Sequence, residues 1–236
     1  MFGFDIGSMV ITGVTTLIGM LVSSRLKSKF EYYSKIPMNN RMSGKDVAER
    51  MLNENGIYDV QVVCVPGTLS DHYNPMNKTV NLSPDVFDGR SIAAAAVAAH
   101  ECGHAVQHAE AYSMLKLRSA IVPVVNVASV GLQYLMGISF MLIASMPKLG
   151  YWAMLLTVIA FAVTTFFSFV TLPVEFDASN RALKWLESSN ITHGEEQAGA
   201  KDALWWAAMT YVSAALSSLV MLLYLIMRLT GSNNRN

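Results

Sequence analysis

Within the stretch Ala93–Ala111, AAAAVAAHECGHAVQHAEA, the residues His100, Glu101, Cys102, Gly103 and His104 read H-E-x-x-H. On a helix, His100 and His104 stand one turn apart on a single face, so two imidazoles can meet one ion. Glu101 is offset by one residue, beside the ligands rather than among them, where a carboxylate can hold a water next to the metal. The alanines and the absence of proline predict the helix itself. Val97, Val106 and the uncharged Cys102, Gly103 and Ala105 suit a buried zinc helix better than a surface helix with two solvated histidines.

Two histidines do not complete such a site, because a catalytic zinc usually takes three protein ligands and keeps its fourth position open. A metzincin would place Gly and His three and six residues beyond the second motif histidine; Gln107 and Glu110 stand there instead. The other common solution is a carboxylate on a separate helix. In Leu172–Ser179, LPVEFDAS, Pro173 can start a new helix with Glu175 in its first turn. His108 and Asp177 compete for the role. His108 shares roughly the right face but lies about 12 Å of helix rise from His100, and Asp177 points elsewhere on a helix. Glu110 reads as a solvated charge and Cys102 as a small packing residue.

The elements that position these groups are apolar to an unusual degree. Of the 236 residues 53% are hydrophobic and 14% charged, too apolar for a typical soluble domain. Four tracts carry no Asp, Glu, Lys or Arg: Ile6–Ser24 (19 residues), Ser119–Pro147 (29), Leu149–Val174 (26) and Ala203–Met227 (25). A hydrocarbon core of about 30 Å needs roughly 20 helical residues, so four transmembrane helices are expected. The first tract is expected to be a retained anchor rather than a cleaved signal, since Arg25, Lys27 and Lys29 follow it and only Asp5 precedes it.

Eleven of the 17 Lys and Arg lie between the first and second tracts and three (Arg181, Lys184, Lys201) between the third and fourth. Lys148, Arg228 and Arg235 flank the opposite ends. Positive residues mark the cytoplasmic side, so the histidine helix is expected to face the cytoplasm with both termini outside. From His104 to Glu175 the chain then crosses the bilayer twice, which returns the carboxylate to the imidazole side. Zero net charge argues against a nucleic-acid partner, and Cys64 and Cys102 read as reduced thiols.

Between the first two spans, Phe30–Asn40 reads as an irregular connector and Ser43–Asn55 as a capped helix stopped by Gly56. Tyr58–Val65 reads as a strand, and Leu69–Tyr73 with Thr79–Leu82 as a hairpin around Asn74–Asn77. Ser83–Arg90 is a polar connector into the histidine helix.

HECGHAVQ followed far downstream by LPVEFDASNRAL, with the DHYNPMNKTVNLS hairpin ahead and hydrophobic tracts before, between and after, resembles the YugP-type zinc-dependent membrane proteases of bacteria. The pattern is more distantly similar to the HtpX and CAAX prenyl protease group. The resemblance covers nearly the whole chain. It implies one zinc ion per chain bound by His100, His104 and Glu175, with Glu101 as catalytic base. In the HtpX group an aspartate usually stands four residues after the glutamate ligand and orients a zinc histidine; here that position is Ser179, and Asp177 or Asn180 can stand in for it.

The expected protein is thus a mainly α, multi-pass membrane protein with four transmembrane helices and a small α+β, gluzincin-like zinc-metallopeptidase domain in the cytoplasm. The expected divisions are span 1 at 1–25, the catalytic domain at 26–118, spans 2 and 3 at 119–172, a cytoplasmic helical segment with the third ligand at 173–202, span 4 at 203–229 and a tail at 230–236. The expected activity is endopeptidase cleavage of membrane-associated protein or peptide substrates at the inner face of the bacterial cytoplasmic membrane. His72, Tyr73 and Arg181 are candidates to stabilise the oxyanion or contact substrate, and a hairpin strand can pair with an extended substrate. The competing expectation is a zinc-containing scaffold or chaperone without catalysis, which would close the metal with a fourth ligand from His108, Asp177 or a cysteine. A transporter is disfavoured, because the tracts between the motif halves hold no charge to mark an ion path.

Overall fold

The computed structural model describes residues 6–233. Asp5, Arg235 and the outer ends of the expected first span and tail lie outside the described residues. The chain runs α1 (Ile6–Ser34), α2 (Gly44–Glu54), β1 (Gln61–Cys64), β2 (His72–Asn74), β3 (Thr79–Leu82), α3 (Pro84–Phe87), α4 (Ile92–Ala109), α5 (Ser113–Ser145), α6 (Pro147–Ser188) and α7 (Glu195–Asn233). Helices α1, α5, α6 and α7 are long and apolar enough to cross a membrane.

The chain divides into two compact units. Of the described residues, one holds 6–21, 117–172 and 210–233. Its buried centre is Met154, Val158, Met221 and Leu225, with Phe140, Phe161 and Tyr224 packed against them. Much of its remaining apolar surface, including Val10, Val14, Leu17, Val127 and Leu223, faces outward.

The other unit holds residues 22–116 and 173–209. Its core joins Val47, Met51 and Leu52 of α2, Val80 and Leu82 of β3, the alanines of α4, and Ala182, Leu186, Ala200 and Leu204 of α6 and α7. Burying each larger aliphatic side chain is worth roughly 1.5–3 kcal/mol. Helix α4 is buried on nearly every side, which its small residues allow by letting neighbours approach closely. Helix α2 begins with a capping box, in which the Ser43 hydroxyl accepts from the Asp46 N–H while the Asp46 carboxylate accepts from the Ser43 N–H. These bonds, the backbone one first, hold the Asp46 carboxyl below the usual carboxylate range despite its partial burial.

The sheet has the order β1-β3-β2, with β1 parallel and β2 antiparallel to β3. The expected first strand and hairpin are present but shorter, because β2 starts at His72, after Leu69 at φ 55°.

Three expectations are corrected. The region Phe30–Asn40 is not irregular throughout: α1 continues to Ser34, held by the Tyr33 hydroxyl donating to Asp202 Oδ2 at 2.8 Å, and Pro37 lies beyond its end. The polar connector Ser83–Arg90 contains a helical turn, α3, opened by Pro84. Pro173 does not start a helix but sits inside α6. A proline there forfeits a single bond to Phe169, and the turns beyond it are held by burial of Val174, Glu175, Ala178, Ala182 and Leu186.

Candidate active site

The two motif histidines and one carboxylate from α6 converge. His100 Nε2 lies 3.4 Å and His104 Nε2 3.6 Å from Glu175 Oε2. One potential ligand atom from each residue lies within 4.8 Å of the others. Helical spacing places the histidines: four residues stack the imidazoles one turn apart, with ring centroids 4.8 Å apart. Glu175 arrives on the stripe of α6 that also buries Val174, Ala178 and Ala182.

These residues fit a zinc ion. Zn–N and Zn–O bonds of about 2.0–2.2 Å at tetrahedral angles put neighbouring ligand atoms roughly 3.3–3.6 Å apart, which matches the two separations from Glu175 Oε2. The imidazole donors also face the right way. His100 Nδ1 lies 3.1 Å from the Ser179 hydroxyl and His104 Nδ1 3.0 Å from Gln107 Oε1, so both Nε2 atoms are left to the Glu175 side. The charge is right as well. Glu101 and Glu175 are both buried, and two carboxylates withdrawn from water call for a cation. Burial alone would lower the pKa of His104, but Glu175 and Glu101 outweigh it and hold the imidazole above its usual range.

Glu101 is buried beside the two histidines on α4. Its Oε2 accepts the Tyr73 backbone N–H at 3.0 Å, so the edge strand β2 fixes the carboxylate. Cys102, fully buried, directs its thiol to the Ala48 carbonyl at 3.6 Å. Burial first, and then the Glu101 charge, push this thiol far up, so it packs as a neutral group.

The remaining sequence candidates lie around this cluster with partners of their own. The Tyr73 hydroxyl pairs with His108 Nδ1 at 2.8 Å, which engages both that hydroxyl and the alternative ligand His108. His72 is exposed and pairs through Nδ1 with the Ser70 carbonyl at 2.8 Å. Arg181 donates through Nε to Asp177 Oδ2 at 2.5 Å and through Nη1 to Glu110 Oε2 at 2.6 Å. Glu110 is therefore an ion-pair partner rather than the purely solvated charge expected. Ser179 itself contacts His100, whereas Asn180 lies on the exposed side of α6. Asp177 meets Gln107, not a histidine.

Gln107 is the residue that spacing had marked only as a metzincin mismatch. Its one available signal is a lone amide three residues past His104, directly after Ala105 and Val106.

No solved structure matches the chain. A curated relative, "Putative membrane protease YugP" of Bacillus subtilis (strain 168), is 44% identical over 212 residues, covering 90% of this chain and 92% of the relative. The family model described as "Putative neutral zinc metallopeptidase" matches residues 8–230. On that near-complete match the chain belongs to this neutral zinc metallopeptidase family.

Proposed function

We propose that the protein is a membrane-embedded zinc metalloendopeptidase, with His100, His104 and Glu175 as ligands and Glu101 as general base. The single observation that carries this reading is the convergence of two Nε2 atoms and one carboxylate oxygen, with a second buried carboxylate fixed beside them. A zinc ion held there would acidify a water and polarise the scissile carbonyl. Glu101 takes the proton of the attacking water and passes it to the leaving amine. The Tyr73 N–H keeps that carboxylate aimed and leaves its Oε1 for the water.

The zinc-scaffold alternative needs a fourth ligand, and three candidates are engaged elsewhere: His108 with Tyr73, Asp177 with Gln107 and Arg181, Cys102 with Ala48; Cys64 is exposed and stands outside the group of His100, His104 and Glu175. Among the described residues the clustered donors number three, His100, His104 and Glu175, which supports catalysis over a closed structural site.

Four helices of sufficient length and hydropathy support insertion in the bacterial cytoplasmic membrane. The basic-residue bias supports a cytoplasmic active site. Glu175 directly follows the apolar run Leu149–Val174, which favours membrane-associated chains as substrates. Glu101→Gln tests the reading: purified in detergent, it should retain zinc and lose cleavage of a membrane-protein substrate. Cleavage at the parent's rate would overturn the general-base assignment.

A further inference from the structure

We infer that Gln107 is the positioning residue of the metal centre, and that its amide sets the tautomer of His104 through a relay anchored on Asp177. This inference rests on the zinc reading above and concerns how this chain prepares one ligand.

The direction of the Gln107 amide follows from its neighbours. One end lies 2.8 Å from both the Val174 carbonyl and Asp177 Oδ2, two groups that only accept hydrogen bonds. That end must therefore be the NH2, whose two protons match the two acceptors. Turning the amide over would set its carbonyl oxygen against both acceptors in a fully buried position, where an unsatisfied polar group costs about 1–3 kcal/mol. Oε1 consequently faces His104 Nδ1, 3.0 Å away, and can only accept. The proton is fixed on Nδ1, and the Nε2 lone pair is presented toward Glu175.

Asp177 is held in turn. Its Oδ2 accepts from both Gln107 Nε2 and Arg181 Nε, and Arg181 is tied to Glu110 beyond α4's last turn. The relay runs from α4 to α6 and back, so it also clips together the two helices that supply the ligands. His100 receives weaker support, a single hydroxyl from Ser179. Partners of this kind govern metal affinity by about 10–100-fold.

The test measures zinc affinity of the full-length protein in detergent by competition with a chromogenic chelator, needing no substrate. Gln107→Met, similar in length and without hydrogen-bonding groups of its kind, should weaken zinc binding by about 10–100-fold. Asp177→Ala frees one of the amide's two anchors and should weaken it as well. Asp177→Asn should recover affinity to within about threefold of the parent, because its carbonyl oxygen can accept the same two bonds. This Ala and Asn pair decides the matter even if Gln107→Met fails to fold. Parent-like affinity in Asp177→Ala, or equal loss in the Ala and Asn variants, would overturn the relay. A parent that binds no zinc would instead bring down the metal-centre reading itself.

Discussion

A β-carbon placed on Gly103 would lie 2.6 Å from the carbonyl oxygen of Ala178. Glycine at the fourth position of H-E-x-x-H therefore sets how closely α4 and α6 approach. Ala178 stands three residues after Glu175, so the same contact sets how far that carboxylate reaches toward the imidazoles. Gly103→Ala should cost about 1–3 kcal/mol of stability by overpacking and weaken zinc binding by at least about tenfold, since a misplaced ligand loses geometry. Thermal melting and chelator competition on the same preparation check both.

The ligand assignment predicts that His100→Ala and Glu175→Ala lose zinc in metal analysis. In the parent, stripping zinc with a chelator should lower the melting temperature, and restoring zinc should raise it again, because a ligand bound only to the folded state stabilises it. A melting temperature indifferent to chelator would contradict a site built from two helices distant in sequence.

Tyr73 separates a backbone role from a side-chain role. Its N–H holds Glu101 while its hydroxyl pairs with His108. Tyr73→Phe should leave kcat within about threefold of the parent and cost about 0.5–1.5 kcal/mol of stability. A loss of 100-fold or more in kcat would restore the hydroxyl as an oxyanion donor.

The capping box of α2 predicts an acid-dependent loss. Ser43→Ala should cost about 1 kcal/mol in melting experiments at neutral pH. Because the folded-state pKa of Asp46 is depressed, its contribution is present above the unfolded value near 3.9 and fades as pH falls through the lower folded value. The stability difference between the parent and Asp46→Ala should therefore be largest at neutral pH and shrink below about pH 3.

Local chemistry is legible in the chain because it depends on spacing. Two histidines four residues apart share a helix face wherever that helix lies, and long charge-free tracts make long apolar helices. Ser43 with Asp46 caps a helix from adjacent positions, and Glu175 stands out as a carboxylate at the end of an apolar run. Pro173 misled because proline stops a helix only when the following turn has nothing else to hold it. Here the burial of Val174, Ala178 and Ala182 outweighs one missing bond. The single helical turn at Pro84–Phe87 was too short to leave a periodic signal.

What the sequence determined by itself is the one-turn spacing of His100 and His104 and the apolar lengths, since residue type and periodicity are intrinsic to the chain. The tertiary structure alone decided which polar groups support the donors. Gln107 meets His104 within one helical turn, but its orientation and the roles of Asp177 and Ser179 come from contacts spanning 67 to 79 residues of chain. Hydrogen bonds between separate helices depend on a spacing that here turns on the missing side chain of Gly103.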